Sequence, residues 1–381
     1  MAIVFSSVHV ERTATLEGLR EGIGLALERG AKSLLIFLCS RPQYDLQQLP
    51  ALFAELPVPV FAGVFPGIIH DQEHFHDGAL ICGMTLELTP CLVEDIDRPD
   101  ELIAEELAQC FPGASPAGAL LLIDGQSRGI DNFVACLYDR FGPDTTVFGA
   151  GAGYLDFSHN PCLVTASGVY QNAAMVIGLP VPLAFGVHHG WESIAGPFLV
   201  TGSEGNRIQS INYQPAFSFY RDILEGHAGQ ALDFSDFFSV AKSYPFGMAQ
   251  LDSEYLVRDP IRSQGEVIEC AGSISPNTMV YILHAKPPQL IAAAAQATLE
   301  LRPKLAPNYE RAESLYAVVV DCISRELFLG PDYPAELASI QSALPQATLI
   351  AGILSLGEIA SSSQGVIHFL NKTTVIGGAG R

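Results

Sequence analysis

The chain has 381 residues, 49% of them hydrophobic and 16% charged, with 41 Asp and Glu against 20 Lys and Arg and a formal net charge of -21. That length and apolar content suffice for sizeable cores and for two domains. The acidic balance excludes nucleic-acid binding and docking on an anionic membrane surface, both of which need clustered Lys and Arg.

The N-terminal Met1-Ala2-Ile3-Val4-Phe5-Ser6-Ser7 lacks the basic region of a secretory signal. The longest stretch free of formal charge, 157–191, is broken by Pro161, Pro180 and Pro182. A spanning helix needs about 20 mostly apolar residues in one run, so this stretch reads as buried strands, and the expected location is the cytoplasm, without membrane insertion. Eight cysteines, at 39, 82, 91, 110, 136, 162, 270 and 322, show no CxxC pair and read as reduced and mostly buried.

Residues 15–29 carry Leu16, Leu19, Ile23 and Leu27 at helical spacing, with Gly30 as the stop. The apolar run 34–38 then opens a pattern that recurs. It continues through Cys39-Ser40-Arg41 and a helix over 45–56, and closes on Val60-Phe61-Ala62-Gly63-Val64-Phe65-Pro66-Gly67. The second copy runs from 119–123 through Asp124-Gly125-Gln126-Ser127-Arg128 and a helix over 132–141 to 147–153. The third runs from 317–320 through Asp321-Cys322-Ile323-Ser324-Arg325 and a helix over 334–344 to 349–358. Each copy reads as a strand, a polar loop, a helix and a strand ending in a glycine turn. Strands so continuously apolar belong in covered sheets. The expected class is therefore α/β, with mixed, largely covered sheets built from repeated βαβ-like units, and with the three Ser-Arg pairs at equivalent strand ends.

Between the first and second copies, residues 68–77 hold His70, His74 and His76 beside Asp71, Glu73 and Asp77. Imidazole and carboxylate together invite a metal reading. Without a second ligand cluster nearby, the segment reads as a polar loop before a strand over 79–88. A helix over 99–110 follows. Gly149, Gly151 and Gly153 imitate a dinucleotide fingerprint, but the third glycine comes too early and no helix opens after it. Residues 162–169 and 173–179 read as a hairpin turning at Tyr170-Gln171-Asn172. In 183–191, strand alternation places His189 with Val187 and Phe185, and His188 on the opposite face. A short meander follows to residue 213, then a helix over 215–224. Composition shifts over 214–230, which marks the domain boundary. Beyond it come strands over 254–258, 266–271 and 279–284 and an alanine-rich helix over 289–301.

The turn at Gly149 to Gly153, the run Gly196-Pro197-Phe198-Leu199-Val200-Thr201, the segments Tyr244-Pro245-Phe246-Gly247 and Leu256-Val257-Arg258-Asp259-Pro260, and Leu354-Ser355-Leu356-Gly357-Glu358 resemble, in that order, the FIST family. The resemblance spans about residues 20 to 370. It implies an N-type ligand-binding domain over 20–214, a C-type domain over 215–370, and a sensory role in signal transduction with a small ligand such as an amino acid. The chain carries no kinase, cyclase or receiver segment, so the implied partner is a separate histidine kinase or cyclase output protein. One branch of the family binds haem and senses nitric oxide, and His189-Gly190-Trp191 resembles that branch.

An enzyme would need a nucleophile and base in a defined setting. Asp124, Ser127, Asp321, Cys322, Ser324 and Glu358 lie where open α/β sheets place their sites, yet there is no G-x-S-x-G elbow, P-loop or HExxH. The same groups serve to hold a ligand, and binding is favoured over catalysis. Arg128 is the first candidate to grip a carboxylate, with Asp124 meeting an ammonium group. Ser127, Arg41, Arg325, Gly151, Arg258 and Glu358 complete the expected ligand set. If a cofactor is carried, it is haem, held without covalent attachment by His189 as axial ligand. His188 is the competitor, because a one-residue change of strand phase exchanges their faces.

Overall fold

The computed structural model describes residues 5–41, 44–250, 254–305, 315–345 and 348–379. Each of the three expected copies contains a parallel strand pair. Ser33–Cys39 lies beside Val60–Phe65, Gly118–Asp124 beside Thr146–Ala152, and Leu315–Cys322 beside Thr348–Ser355. All seven residues of Ser33–Cys39 are buried, as a strand covered on both faces requires. Crossover helices connect the pairs: Leu49–Ala54 after a short 3-10 turn, Ile130–Phe141, and Tyr333–Ala343.

Three mixed six-stranded sheets result, and they share one strand order. The first reads Phe5–Glu11, Ala79–Met84, Ser33–Cys39, Val60–Phe65, Leu163–Thr165, Gly168–Tyr170. The second reads Cys91–Glu94, Ala173–Leu179, Gly118–Asp124, Thr146–Ala152, Glu358–Ser361, Ile367–Leu370. The third reads Leu183–His188, Thr374–Ala379, Leu315–Cys322, Thr348–Ser355, Gly67–His70, Glu73–Phe75. Every unit thus gives four strands to its own sheet and lends the hairpin after its glycine turn to a neighbour. The first unit's hairpin joins the third sheet, the third unit's joins the second, and the second unit's joins the first. The second and third sheets therefore draw strands from both sides of residue 215.

One apolar core is common to the three sheets. Leu35, Phe61, Phe148, Met175, Val320 and Ile353 all belong to it. Helices cover the outer faces: Asp100–Cys110 and Ile130–Phe141 on the second sheet, Pro287–Leu301 and Tyr333–Ala343 on the third. Against the first sheet lies Leu16–Glu28, whose buried Leu19, Gly22, Ile23 and Ala26 repeat at helical spacing. Thr15 caps it by accepting a hydrogen bond from the Gly18 amide at 3.1 Å. Between Leu183–His188 and Pro287–Leu301 the third unit carries an insertion, a separate antiparallel sheet with its own core of Val200, Ile208, Tyr220 and Phe246.

Several local expectations change, and residues 68–77, expected as a loop, form the hairpin Gly67–His70 and Glu73–Phe75. Residues 163–165 and 168–170 form their own hairpin in the first sheet, while Ala173–Leu179 crosses to the second; Asn172, at φ 52°, redirects the chain between sheets rather than closing a hairpin. The third copy's polar loop is structured, because the strand runs on to Cys322 and a helix spans Ile323–Leu329. The strand holding the paired histidines ends at His188, so His189 sits in the turn beside Gly190, at φ 77°. Finally, Cys91 and Cys110 form a disulfide, closing the strand Cys91–Glu94 onto the end of helix Asp100–Cys110. The other six cysteines are free and buried.

Candidate ligand-binding site

Where the third sheet meets the second sheet and the inserted module, a cavity of ≈ 790 Å³ opens. One wall is the strand Leu183–His188, which contributes Leu183, Phe185 and Val187. Helix Pro287–Leu301 lies flush on this strand because Gly186 has no Cβ; one would collide with the Ala297 carbonyl oxygen. That close approach carries Glu300 and Lys304 to the rim. Lys304 Nζ donates to Phe185 O at 3.0 Å and to Glu300 Oε1 at 2.9 Å, and Val187 N donates to Glu300 Oε2 at 3.3 Å. The opposite side comes from Glu254, Tyr255 and Leu256 of the insertion, and from Ser361, His368 and Leu370 of the second sheet.

Charges alternate along the rim. His188 Nδ1 donates to Glu254 Oε1 at 2.7 Å, and its Nε2 lies 3.5 Å from Glu300 Oε2. Hydrogen bonds to Glu254 and then Glu300 outweigh burial and push His188 up to about 9, so it is an imidazolium at neutral pH. Burial opposes ionisation of Glu300, yet His188 and Lys304 together hold its carboxyl down at about 2. The order Lys304, Glu300, His188, Glu254 is therefore plus, minus, plus, minus, on a cavity whose remaining lining mixes apolar side chains such as Leu183, Phe185, Val187, Leu256 and Leu370 with polar ones such as Gln250, Ser361 and His368. His189 behaves in the opposite way to its neighbour. It is buried and accepts a hydrogen bond from Trp191 N at Nδ1, at 2.8 Å, and burial pulls it down to about 4. At neutral pH it is uncharged, so its 3.4 Å approach to Glu254 Oε2 is not an ion pair.

Haem does not fit these two histidines. Iron needs an imidazole lone pair facing a slot. His188 carries protons on both nitrogens, and His189 spends its lone pair at Nδ1 on the Trp191 amide, leaving the proton on Nε2.

None of the eight expected ligand residues lines this cavity, whereas His188 and His189 do. Asp124 is buried and accepts from Asn172 N at 2.7 Å, His159 Nε2 at 2.9 Å and Gln126 N at 3.0 Å; it fastens loops, while Arg128 is exposed. Ser127 is buried and Arg41 exposed. Gly151 is stitched to the third unit's turn, donating to Gly357 O at 2.7 Å and accepting from Leu356 N at 2.9 Å. Arg258 is buried and donates to Phe369 O at 2.8 Å, to Ser273 O at 3.0 Å and to Asp131 Oδ1 at 3.1 Å. Arg325 is wholly buried. Glu358, also wholly buried, accepts from Ser355 Oγ at 2.7 Å and Thr373 N at 3.1 Å, and burial pushes its carboxyl well up. Sequence reasoning missed Glu254, Glu300, Lys304 and His368. The one local signal was Glu300 and Lys304, four residues apart at the end of the alanine-rich helix.

Residues 33–214 match the FIST N domain and residues 216–361 the FIST C domain, so the chain belongs to the FIST family. FIST domains are associated with signal transduction and small-ligand sensing. No curated protein matches the chain. Among the described residues, no helix is long and apolar enough to cross a membrane.

Proposed function

We propose that this chain is the sensory, ligand-binding component of a signalling system, and that its ligand is an amino acid or a related small acid held in the cavity between the third sheet and the insertion. The observation that carries the reading is the alternating rim of Lys304, Glu300, His188 and Glu254 beside a partly apolar cavity of ≈ 790 Å³. A ligand carboxylate meets His188 and Lys304, an ammonium group meets Glu254 and Glu300, and the side chain occupies the apolar part. That volume suits a small ligand. A separate histidine kinase or cyclase in the cytoplasm would read the bound state, with residues 20–214 and 215–370 as its two domains.

Thermal-shift screening of amino acids and small carboxylic acids, followed by calorimetry, tests the reading. The expected result is a stabilising ligand whose affinity falls at least tenfold in His188→Ala and Lys304→Ala and is unchanged in the exposed Arg128→Ala. A ligand whose binding depends on Arg128 and ignores both rim substitutions would move the site back to the strand ends. Haem titration examines the gas-sensing branch of the family. Given the occupied nitrogens of His188 and His189, no Soret band that depends on His189 is expected.

A further inference from the structure

The histidine-rich segment after the first unit's turn has found its second set of ligands in a distant part of the chain. Strand Glu73–Phe75 and the residue after it place His74 and His76 on one face, two residues apart. The hairpin is seated in the third sheet, with His74 opposite Ile69 and Ile69 opposite Gly352. There it meets helix Ile323–Leu329 of the third unit, and Glu326 Oε1 stands 3.7 Å from His74 Nε2 and 3.6 Å from His76 Nε2. One ligand atom from each of the three residues lies within 4.8 Å of the others. We propose that His74, His76 and Glu326 bind a divalent transition-metal ion, of the zinc or iron(II) class, through two imidazole nitrogens and one carboxylate, with a remaining coordination position open to solvent.

Hydrogen bonding fixes which atoms converge. His76 Nδ1 lies 2.9 Å from the Pro66 carbonyl oxygen, which can only accept, so Nδ1 carries a proton and donates. In the neutral ring, Nε2 is then a bare lone pair aimed at a carboxylate oxygen. Two acceptors facing each other at that separation accommodate a proton or a metal ion between them. A carbonyl that holds the far ring nitrogen in this way is the usual means of orienting a metal-binding imidazole. Glu326 Oε2 is buried and has no hydrogen-bond partner among the described residues.

The two imidazole-to-carboxylate spacings suit an ion, and the imidazole nitrogens lie within 4.8 Å of each other. Metal to ligand distances of about 2.0–2.2 Å imply ligand atoms about 3.0–3.7 Å apart at ordinary coordination angles, and both nitrogen to oxygen separations fall there. Two imidazoles with one carboxylate select borderline metals over calcium or magnesium, which prefer all-oxygen sites. The site is also held rigidly. Gly67 lets the hairpin fold tight, since a Cβ there would lie 2.7 Å from Phe75 O and 3.1 Å from His76 Nδ1. The residue before Glu326 is the buried Arg325, and the residue after it has its carbonyl oxygen tied to Lys242 Nζ at 2.9 Å. Two other polar residues of the segment are engaged elsewhere. Glu73 pairs with Arg12 at 3.0 Å, and Asp71 accepts from Ile350 N at 3.2 Å. An ion here clasps the first unit's hairpin to the third unit, and the half-exposed imidazoles give it a way in.

The test uses the full chain, stripped with chelator and titrated with zinc by calorimetry and with cobalt(II) by visible absorption. Wild type is expected to bind one ion per chain, to gain cobalt d–d bands and to melt at a higher temperature when loaded. His74→Ala and Glu326→Gln should each weaken binding at least tenfold and lose the bands, with the melting temperature of the metal-free protein close to wild type. His70→Ala, outside the trio, should bind as wild type does. The proposal is overturned if wild type takes up neither ion, or if the trio variants bind both ions as tightly as wild type. Should either variant fail to fold, His76→Ala gives the same readout.

Discussion

Arg325 and Glu336 face each other as a two-point ion pair, Nη2 to Oε2 at 2.6 Å and Nε to Oε1 at 3.1 Å, with neither side chain exposed. The guanidinium uses its remaining donors on His189 O at 2.7 Å, Leu290 O at 3.0 Å and Lys372 O at 3.1 Å. Asp321 Oδ1 lies 3.2 Å from Nε. One side chain thus holds the turn before Trp191, the covering helix and the last strand's approach in fixed relation. Removing one member of a buried pair leaves an uncompensated charge, which costs about 3–5 kcal/mol. Arg325→Ala is expected to lose at least that in denaturant unfolding. Arg325→Lys should be nearly as damaging, because a single ammonium cannot reach acceptors arrayed around a planar fork.

The paired histidines should give opposite pH dependences. His188 is raised from 6.5 to about 9, so its contribution to stability is complete below 6.5 and is lost as pH rises through about 9. His189 is lowered to about 4, so the stability that goes with its neutral form is complete above 6.5 and is lost as pH falls through about 4. In a stability profile, His188→Gln should flatten the alkaline limb and His189→Gln the acid limb. Imidazole NMR titration assigns the two directly, and matching midpoints near 6.5 would refute both.

The Cys91–Cys110 disulfide closes a loop with a sequence separation of 19. Loop-closure entropy for that length corresponds to about 3 kcal/mol. A reductant should lower the wild-type melting temperature and leave the Cys91→Ser, Cys110→Ser double variant unaffected. Equal responses of the two proteins would show that the bond does not stabilise the fold.

Gly149 and Gly352 occupy the closing strands of the second and third units, each opposite its parallel partner strand. A Cβ at Gly149 would collide with the Leu121 carbonyl oxygen, and one at Gly352 with that of Val319. Either glycine to alanine substitution should cost about 1–3 kcal/mol, as overpacking does. Gly24, within helix Leu16–Glu28, has open space where a methyl group would stand, with nothing within 4 Å, and Gly24→Ala should stabilise by about 0.5–1 kcal/mol. Denaturant unfolding of the three variants checks the opposite signs.

How far the fold was legible follows from what is local. The three parallel pairs were readable because each is a short apolar run, a helix and a second run closed by glycine. The surroundings of the Ser-Arg pairs were not: all three serines are buried, but Ser40 directly follows its strand, Ser127 stands three residues beyond Asp124, and Ser324 lies inside helix Ile323–Leu329. The fate of the arginines was no more local. Arg41 and Arg128 are exposed while Arg325 is wholly buried, a difference set by Asp321 and Glu336. The cavity was illegible for the same reason, since His188, Glu254, Glu300 and His368 come from four separated segments. Cysteine spacing does not encode connectivity, which hid the bond between Cys91 and Cys110.

The lending of hairpins from unit to unit has a mechanical consequence. Pulling any one unit out of the trio removes two strands from a neighbour's sheet and strands its own sheet's outer edge, so loss spreads around the ring instead of stopping at a boundary. The three units should therefore melt as one cooperative block. Slowly exchanging amides in Ser33–Cys39, Gly118–Asp124 and Leu315–Cys322 should share a single opening free energy. A chain cut at residue 215 should regain that protection only when both pieces are present together.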